Sequence, residues 1–418
     1  MLREDMATKL VNIDRRTPLL LPVDLRDWVA EDDFVHFVLE AVEGLDVRSA
    51  RVNERGTGSA QYPPGMLLAL LVYSYATGVF SSRRIERSTF LNVAVRYVCA
   101  DTHPDHDTIA TFRRENLALV QESFVQVLAL ARELGLVRLG LVAVDGTKLL
   151  ANASKRATVS AAQLAALQAA DAQTAQGLLI RAEEADRSPR EEGTRLPRRL
   201  AQPAQRRARL QAAQAVLAQR RSAGAQVNTT DPDSRLQPPS QPGGGFTQGY
   251  NAQAAVDTAP ARLIVAARIA DTTTDHNQLS GTVAAIPVEL GRPVVVVADR
   301  GYDSHEDIVR TAQLSGAQIC CPPAHRFNPH SASAIGRQRQ ARQSERLARD
   351  QLARSARGQA WLRLRRTTIE PVFGMIKAAL GFRRFQLRGR SKVEGEWQLV
   401  ALAYNLRRLW QVSAVPAC

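Results

Sequence analysis

The chain has 418 residues, 45% hydrophobic and 23% charged, a balance typical of globular proteins and not of disordered or fibrous ones. Its length predicts two to three domains. The net charge of +14 is concentrated near the C terminus, because residues 326–418 contain 17 Arg and 2 Lys against five acids and the remainder is neutral. A basic surplus confined to one segment indicates a polyanionic partner, most simply nucleic acid, although a GC-rich genome also favours Arg.

The cysteine and apolar patterns favour a reducing compartment and no membrane contact. The four cysteines form neither a disulfide framework nor a zinc spacing. The N-terminal sequence MLREDMATKLVNIDRR lacks the apolar segment of a signal peptide. The longest apolar stretch, residues 66–80, contains Tyr73, Ser74 and Thr77 and falls short of the about 20 residues that span a bilayer. We therefore expect a cytoplasmic protein.

Residues 1–135 predict a helical N-terminal domain that binds DNA ends or dimerises. Apolar residues recur there at helical spacing, and the pair Pro63-Pro64 fits the first turn of a buried helix. Asp107 is a candidate N-cap for a long amphipathic helix. A DNA-binding unit and a domain that merely packs are both compatible with the basic residues near the helix turns, which are Arg83, Arg84, Arg113 and Arg114.

Residues 136–418 predict an α/β domain with a mixed sheet. Apolar runs that end on an acid indicate buried strands in LGLVAVDGTKL and RPVVVVADRGYDS. Two more strands are expected in GYNAQAAVDT and ARLIVAARIA, and helices at about 304–315 and 367–380. An insertion at about 156–225, rich in Ala, Gln, Arg and Leu, predicts an antiparallel helical hairpin, with partial disorder as the alternative. A basic segment at about 326–360 is expected to be soft.

Three acids are candidate metal ligands. Asp145 and Asp299 each close a predicted buried strand, and ligands of open α/β sheets gather at such strand ends. Glu370 precedes Pro371, which fits a first helical turn, so we expect Glu370 at the start of a helix. Two Asp and one helical acid can hold two Mg²⁺ about 4 Å apart. Other nearby candidates are Asp257, Asp271, Asp275 and Asp303.

The spacing around Glu370 adds two cations. Arg366 lies four residues before Glu370 and Lys377 seven after, so an α-helix would place all three on one face. Two phosphate-seeking cations flanking an acid would suit a site that cuts nucleic acid. A solvated face with i,i+4 pairing is the alternative interpretation.

These motifs resemble those of the Asp-Asp-Glu (DDE) transposases of bacterial insertion sequences. The Arg-x3-Glu-x6-Lys pattern is similar to their Tyr-x2-Arg-x3-Glu-x6-Lys signature, with Arg363 at the position of the Tyr. VAVDGTKLLANASK, VVVVADRGYDS and TTIEPVFGMIK resemble their first-Asp, second-Asp and Glu blocks. YPPGMLLALLVYSYATGVFSSRRIE and PDHDTIATFRR resemble the N-terminal domain that many of them carry.

The resemblance implies a ribonuclease-H-like mixed sheet flanked by helices, with an all-α N-terminal domain and a helical insertion. It implies Asp145, Asp299 and Glu370 as ligands of two Mg²⁺, for which Mn²⁺ can substitute, and Arg366 and Lys377 as contacts to DNA phosphates. The remaining basic residues of this region are phosphate contacts or solvated surface: Arg363, Arg383, Arg384, Arg407 and Arg408.

The expected function is that of a transposase. Such an enzyme cleaves phosphodiester bonds at element ends and joins the 3′-hydroxyl to target DNA, and a homodimer on double-stranded DNA is expected because two ends must be paired. We expect it to be associated with the nucleoid in the bacterial cytoplasm. The alternatives are a Mg²⁺-dependent nuclease of the same fold and a catalytically inactive DNA-binding remnant.

Overall fold

The structure, a computed structural model, describes residues 24–52, 60–186, 196–220, 224–239, 243–323 and 337–413. Within these ranges the α-helices are α1 (Phe34–Glu43), α2 (Pro64–Ala76), α3 (Ser82–Leu91), α4 (Val93–Val98), α5 (His106–Glu115), α6 (Leu117–Glu133), α7 (Ala161–Asp186), α8 (Leu196–Gln219), α9 (Leu279–Ala284), α10 (His305–Ser315), α11 (Arg337–Arg354), α12 (Ala356–Gly374) and α13 (Arg390–Ser413). The strands are β1 (Leu141–Leu150), β2 (Thr158–Ser160), β3 (Gln226–Asn228), β4 (Arg235–Gln237), β5 (Thr247–Asp257), β6 (Ile264–Ile269), β7 (Val295–Val297) and β8 (Gln318–Cys320).

The described part of the N-terminal region is helical, as expected, and local side-chain caps define its helix ends. Asp33 begins α1 by accepting a hydrogen bond from the Val35 backbone N–H at 2.8 Å. Pro64 stands in the first turn of α2, where its missing N–H costs nothing. The ten residues 67–76 of α2 are all buried, so this helix forms the centre of the N-terminal packing.

The long helix predicted after Asp107 differs in the structure. Asp105 is the N-cap, accepting from the Thr108 N–H at 2.6 Å, while Asp107 lies inside the first turn. The chain then breaks at Asn116 into α5 and α6, because Asn116 leaves the helical conformation and its side-chain amide donates to the Phe112 carbonyl at 3.1 Å. The prediction of one continuous helix is therefore wrong.

A six-stranded mixed sheet forms the centre of the rest of the chain. β1 pairs antiparallel with β5, whose other edge carries β4 and β6, and it pairs parallel with β7, which in turn pairs parallel with β8. The strand order across the sheet is therefore β6-β5-β1-β7-β8, and β4 pairs with the same edge of β5 as β6. A mixed sheet of this order with helices packed against it, joined to a helical N-terminal region, confirms the ribonuclease-H-like α/β class.

The N-terminal helices and the sheet share one continuous apolar core. The C-terminal helix α13 connects them, since it packs against β6 and also against α2 and α6. Trp397 of α13 is fully buried and donates its indole N–H to the Gln253 carbonyl at 2.8 Å. The division of the chain into domains at residues 135 and 136 stays a prediction.

The insertion is a helical hairpin on a short β-ribbon. β2 pairs antiparallel with β3 at its base, and α7 packs against α8. It has a small apolar cluster separate from the main core, made of Leu164, Leu210, Ala213 and Val227. The greater part of the loop between the two helices, residues 187–195, lies outside the described residues.

The described residues of the basic segment at about 326–360, expected to be soft, are helical apart from Ser355, the N-cap of α12. Residues 324–336 lie outside the described residues, and α11 and the beginning of α12 occupy the remainder. Leu352, Trp361 and Leu362 pack against Leu141, Val295, Val297 and Cys320 on the sheet. This apolar contact explains the order of a segment whose composition alone favours disorder.

No helix in the described ranges combines the length and the apolarity needed to cross a membrane.

Replacing residues 161–219 with a short Gly/Ser linker should leave the sheet folded. The hairpin packs on its own cluster, and loop-closure cost changes slowly with length, so we expect the unfolding midpoint to move by less than about 5 °C. Thermal unfolding followed by circular dichroism measures this. Leu210→Asp, in the hairpin cluster, should likewise spare the sheet, whereas Val256→Asp in the main core should abolish cooperative unfolding. Loss of cooperativity in the deletion variant would show that the hairpin belongs to the core.

Candidate active site

Asp145 lies where β1 extends beyond its parallel neighbour. The β1–β7 pairing ends at Ala143 and Val297, whereas the pairing of β1 with β5 continues from Asp145–Ala254 to Leu150–Gly249. The prediction that Asp145 closes its strand is therefore wrong, because β5 keeps the backbone of β1 paired for five further residues. The side of β1 that faced β7 is open at Asp145.

Asp299 follows β7 and lies at the same edge of the sheet. Its side chain accepts a hydrogen bond from the Gly301 N–H at 2.8 Å and so begins a short 3-10 helix over Arg300–Tyr302. Because β1 and β7 are parallel, Asp145 and Asp299 both lie two residues beyond the carboxyl end of the paired part of these two strands. The Asp299 side chain is 47% exposed, against 18% for Asp145.

Arg365 of α12 joins the two carboxylates. Its Nη2 lies 2.8 Å from Asp145 Oδ2 and 3.7 Å from Asp299 Oδ2, and its Nε donates to the Val144 carbonyl at 3.2 Å. The side chain is only 7% exposed. A guanidinium without partners at this depth would be costly, so the contacts with the two Asp and with the strand belong together.

Burial raises the pKa of Asp145 to about 6, and the negative charges of Asp299 and Asp275 act in the same direction. The Arg365 guanidinium and the Gly146 N–H, which donates to Asp145 Oδ1 at 2.9 Å, oppose this rise in the pKa. The ionised form of Asp145 therefore depends on nearby positive charge.

A third carboxylate, Asp275, lies against the other face of β1. Its Oδ1 accepts from Asn251 Nδ2 at 2.9 Å and from Gln253 Nε2 at 2.7 Å, and the buried Tyr302 donates its hydroxyl to Gln253 Oε1. Gln253 is the cross-strand partner of Gly146, so this group is on the face opposite Asp145. A side chain at Gly146 would collide with the Asp275 carboxylate and the Gln253 amide.

Glu370 does not join the two Asp in the structure. The helix begins at Ala356, capped by Ser355 Oγ, which accepts from the Gly358 N–H at 3.0 Å. Glu370 is thus near the end of α12 with Pro371 inside the helix, so the prediction that Glu370 starts a helix is wrong. The face toward the sheet carries Arg365, Thr368, Ile369 and Val372, and Glu370 is exposed, about 140° around the helix from Arg365. No hydrogen bond or ion pair of Glu370 occurs among the described residues.

The predicted stripe of cations around Glu370 is interrupted. Arg366 shares the exposed flank of Glu370, but Lys377 is half-buried in a π-helical turn, Met375–Ala379. Desolvation, and then the charge of Arg383, lower the pKa of Lys377, while the negative charge of Asp145 opposes this. The charges of Lys377 and Asp145 therefore interact. The remaining predicted DNA contacts, Arg363, Arg383 and Arg384, are exposed.

Several other charged candidates have structural partners. Arg113 is buried and donates to Tyr75 Oη at 2.9 Å and to the Phe80 carbonyl at 2.7 Å, whereas Arg83, Arg84 and Arg114 are exposed. Arg407 and Arg408 donate to the Ala76 and Ala261 carbonyls. Among the alternative acids, Asp257 accepts from the Arg138 N–H, Asp271 accepts from Gln278, and Asp303 pairs with Arg349.

The sequence patterns gave no role to Arg365, Asn251 and Gln253, yet signals for them exist. A helix beginning near residue 356 places Arg365 in the same i, i+3, i+4, i+7 series as Thr368, Ile369 and Val372. Asn251 and Gln253 alternate along an otherwise apolar strand, so they share one face. Polar side chains on a buried face need partners, and here the partner is Asp275.

The Asp pair has the oxygen donors that a hard divalent cation prefers, and its two Oδ2 atoms already converge on one positive group, Arg365 Nη2. The pair therefore fits a divalent metal. Within the part of the chain that the structure describes, no three His, Cys, Asp or Glu side chains are grouped to hold an ion. A third ligand is not assembled in this arrangement.

Comparison with known proteins defines the class. Residues 224–406 match the family described as the transposase DDE domain, and residues 23–115 match the transposase domain family DUF772. The first match spans β3 through most of α13, and the second spans α1 through α5. The chain belongs to the DDE transposases of the insertion-sequence type. Asp299 and Glu370 lie inside the first match, and Asp145 precedes it. Searches of the curated proteins and of the solved structures gave no match.

Gly146→Ala should destabilise the site locally. The added Cβ would displace the Asp275 carboxylate or the Gln253 amide, so we expect a loss of about 1–3 kcal/mol in the free energy of unfolding, measured by chemical denaturation. Gly140→Ala, just before β1, is the matched control, because a Cβ there meets no atom within 4 Å. Equal effects of the two substitutions would contradict close packing around Gly146.

Proposed function

We propose that this transposase cleaves phosphodiester bonds at the ends of an insertion sequence and transfers the resulting 3′-hydroxyl to target DNA. The Asp145–Asp299 pair, at the open edge between two parallel strands, is the observation that carries this proposal. The family membership supports the reaction class, a polynucleotidyl transfer. The protein would act on nucleoid DNA in the bacterial cytoplasm.

Asp145, Asp299 and Glu370 are the proposed ligands of two divalent ions, Mg²⁺ or in its place Mn²⁺. When bound, such ions supply activation of the attacking water or 3′-hydroxyl and stabilisation of the leaving oxygen. Asp145 would provide the buried, rigid side of this site, since its strand is paired through Leu150. Asp299 is more exposed and would face the DNA.

Glu370 is the proposed third ligand, and Asp275 is its rival. Glu370 carries no competing contact among the described residues, so its carboxylate is free to turn toward DNA or metal on the flank of α12. The negative charge of Asp275 contributes to the raised pKa of Asp145, whereas that of Glu370 is not among the causes of this shift. Asp275 is, however, held by two amides on the other face of β1.

The exposed basic residues near the site are the proposed DNA contacts. Arg366 and Arg363 lie on the exposed surface of α12. Lys377 interacts electrostatically with both Asp145 and Arg383, since the charges of these two residues shift its pKa in opposite directions. Arg383 and Arg384 are exposed, and their own backbone pairs with Leu150 at the end of β1. Double-stranded DNA of the element ends and of the target would bind here, on a homodimer that pairs two ends.

Substitution of the acids tests the ligand assignment. Asp145→Asn and Asp299→Asn should abolish Mg²⁺-dependent cleavage of element-end DNA while leaving DNA affinity largely unchanged, because phosphate contacts supply the affinity. Glu370→Gln should do the same if Glu370 is the third ligand, and Asp275→Asn should then retain cleavage. Gel-based cleavage assays and binding by fluorescence anisotropy measure the two properties.

Glu133→Gln, at an exposed position of α6, is the matched control for Glu370→Gln and should cleave normally. The reverse pattern, with Asp275→Asn inactive and Glu370→Gln active, would assign the third position to Asp275. Cleavage without joining to a target plasmid would favour the nuclease alternative. Absence of cleavage in the unmodified protein, with DNA binding retained, would favour the inactive remnant.

Removing the proposed phosphate contacts should change the salt dependence of binding. Arg366→Ala and Lys377→Ala are each expected to weaken binding to element-end DNA and to reduce the slope of log K against log salt by about 0.9 per lost contact. Cleavage should fall less in Arg383→Ala than in Arg366→Ala or Lys377→Ala. Arg292→Ala, exposed before the start of β7 at the opposite edge of the sheet, is the control and should leave the slope unchanged. Equal slopes for all four variants would mean that the positive charge acts as a diffuse field.

A further inference from the structure

Arg365 is a buried cation in the middle of the candidate active site, and the Arg366–Glu370–Lys377 pattern does not include it. Its Nη2 lies within 4.0 Å of both Asp145 Oδ2 and Asp299 Oδ2, at 2.8 and 3.7 Å. Its Nε holds the Val144 carbonyl, next to Asp145 on β1. These contacts fix the guanidinium against the sheet and tie the end of the β7 strand to β1.

Arg365 occupies the position that a cation held by both carboxylates would need. Two carboxylates that approach each other repel unless a positive charge lies between them. The two Oδ2 atoms converge on one nitrogen, so any ion that bridges the same two oxygens meets the guanidinium. Arg365 is also held in this position by the Val144 carbonyl, and its side chain is only 7% exposed.

We propose that Arg365 is the resident counter-ion of the Asp145–Asp299 pair and that a divalent cation must displace its guanidinium to bind there. This inference rests on the proposed role of the two Asp as metal ligands. Arg365 is a positioning residue in this scheme: it keeps the two carboxylates together before the ion arrives. Its competition lowers the affinity of the pair for Mg²⁺ or Mn²⁺.

Metal binding to the full-length protein without DNA tests the proposal. The probe is Mn²⁺ alone, measured by isothermal titration calorimetry and by the thermal unfolding midpoint with and without the ion. Arg365→Gln should bind Mn²⁺ at least about fivefold more tightly, the lower end of typical coupling between two ligands. Its midpoint without metal should fall, and the rise caused by Mn²⁺ should be larger than in the unmodified protein.

Arg357→Gln is the matched control, because Arg357 is an exposed residue of the same helix that lies over the Trp361 ring. It should leave Mn²⁺ affinity unchanged. Unchanged or weaker Mn²⁺ binding in Arg365→Gln, combined with loss of binding in Asp145→Asn, would overturn the competition and keep the Asp pair as the metal site. Binding that persists in both Asp145→Asn and Asp299→Asn would instead contradict the proposed ligands.

Arg365→Lys decides the matter if Arg365→Gln does not fold without metal. A lysine keeps the charge, but its ammonium cannot hold the Val144 carbonyl and both carboxylates as the planar fork does. We expect this variant to fold and to bind Mn²⁺ more tightly than the unmodified protein. Affinity at or below that of the unmodified protein would overturn the proposal.

Discussion

The charge of two neighbouring carboxylates at the edge of a buried sheet is the constraint that shapes the centre of this molecule. Asp145 and Asp299 come together because β1 and β7 are parallel and end at different heights. The pKa of Asp145, raised to about 6, shows that burial resists ionisation there. Arg365 offsets this from one side, and α12 must therefore lie against the sheet with Arg365 inward. The exposure of Glu370 follows, since one helix cannot direct both residues to the same point.

A second buried charge connects the N-terminal helices to the catalytic sheet. Glu396 of α13 has no exposed surface, and its carboxylate accepts from Tyr75 Oη at 2.8 Å and from the Gln386 and Leu387 N–H groups. Burial raises the pKa of Glu396, and the charge of Arg113, bound to the same Tyr75 hydroxyl, opposes the rise. Removing one member of this network would leave a buried charge without a partner, which is energetically costly. The network therefore holds α2 and α5 against α13.

This connection reaches the site through the segment after α12. The backbone of residues 383–385 pairs with Leu150, whose N–H donates to the Arg383 carbonyl at 3.0 Å and whose carbonyl accepts from the Phe385 N–H at 2.9 Å. Glu396 holds the next two residues of the same segment. The N-terminal helices thus help to position Arg383 and Arg384 beside the end of β1.

The sequence predicted what local pattern determines and missed what distant contacts determine. Continuous apolar runs predict β1 and β7, because strands buried on both faces carry little else, whereas β5 and β6 also carry Asn251, Gln253 and Arg268. The predicted start of α12 is eleven residues too late, because its polar first turns are held by distant contacts such as the packing of Trp361 and Leu362 on the sheet. Arg365 was overlooked for the same reason: its role depends on Asp145, 220 residues earlier, and its neighbour Arg366 fits the local signature better.

The same distinction applies to the net charge. Composition counts every Arg of the C-terminal segment alike, but the structure divides them. Arg349 forms an ion pair with Asp303, and Arg365 forms one with the Asp pair. Arg407 donates a hydrogen bond to the Ala76 carbonyl, so all three guanidinium groups have partners within the fold. Among the described residues, the exposed cations of this segment include Arg357, Arg363 and Arg366 on α12 and Arg383, Arg384, Arg388 and Lys392 after it. Composition alone therefore overstates the charge that a polyanion could meet, because part of that charge is held inside the fold.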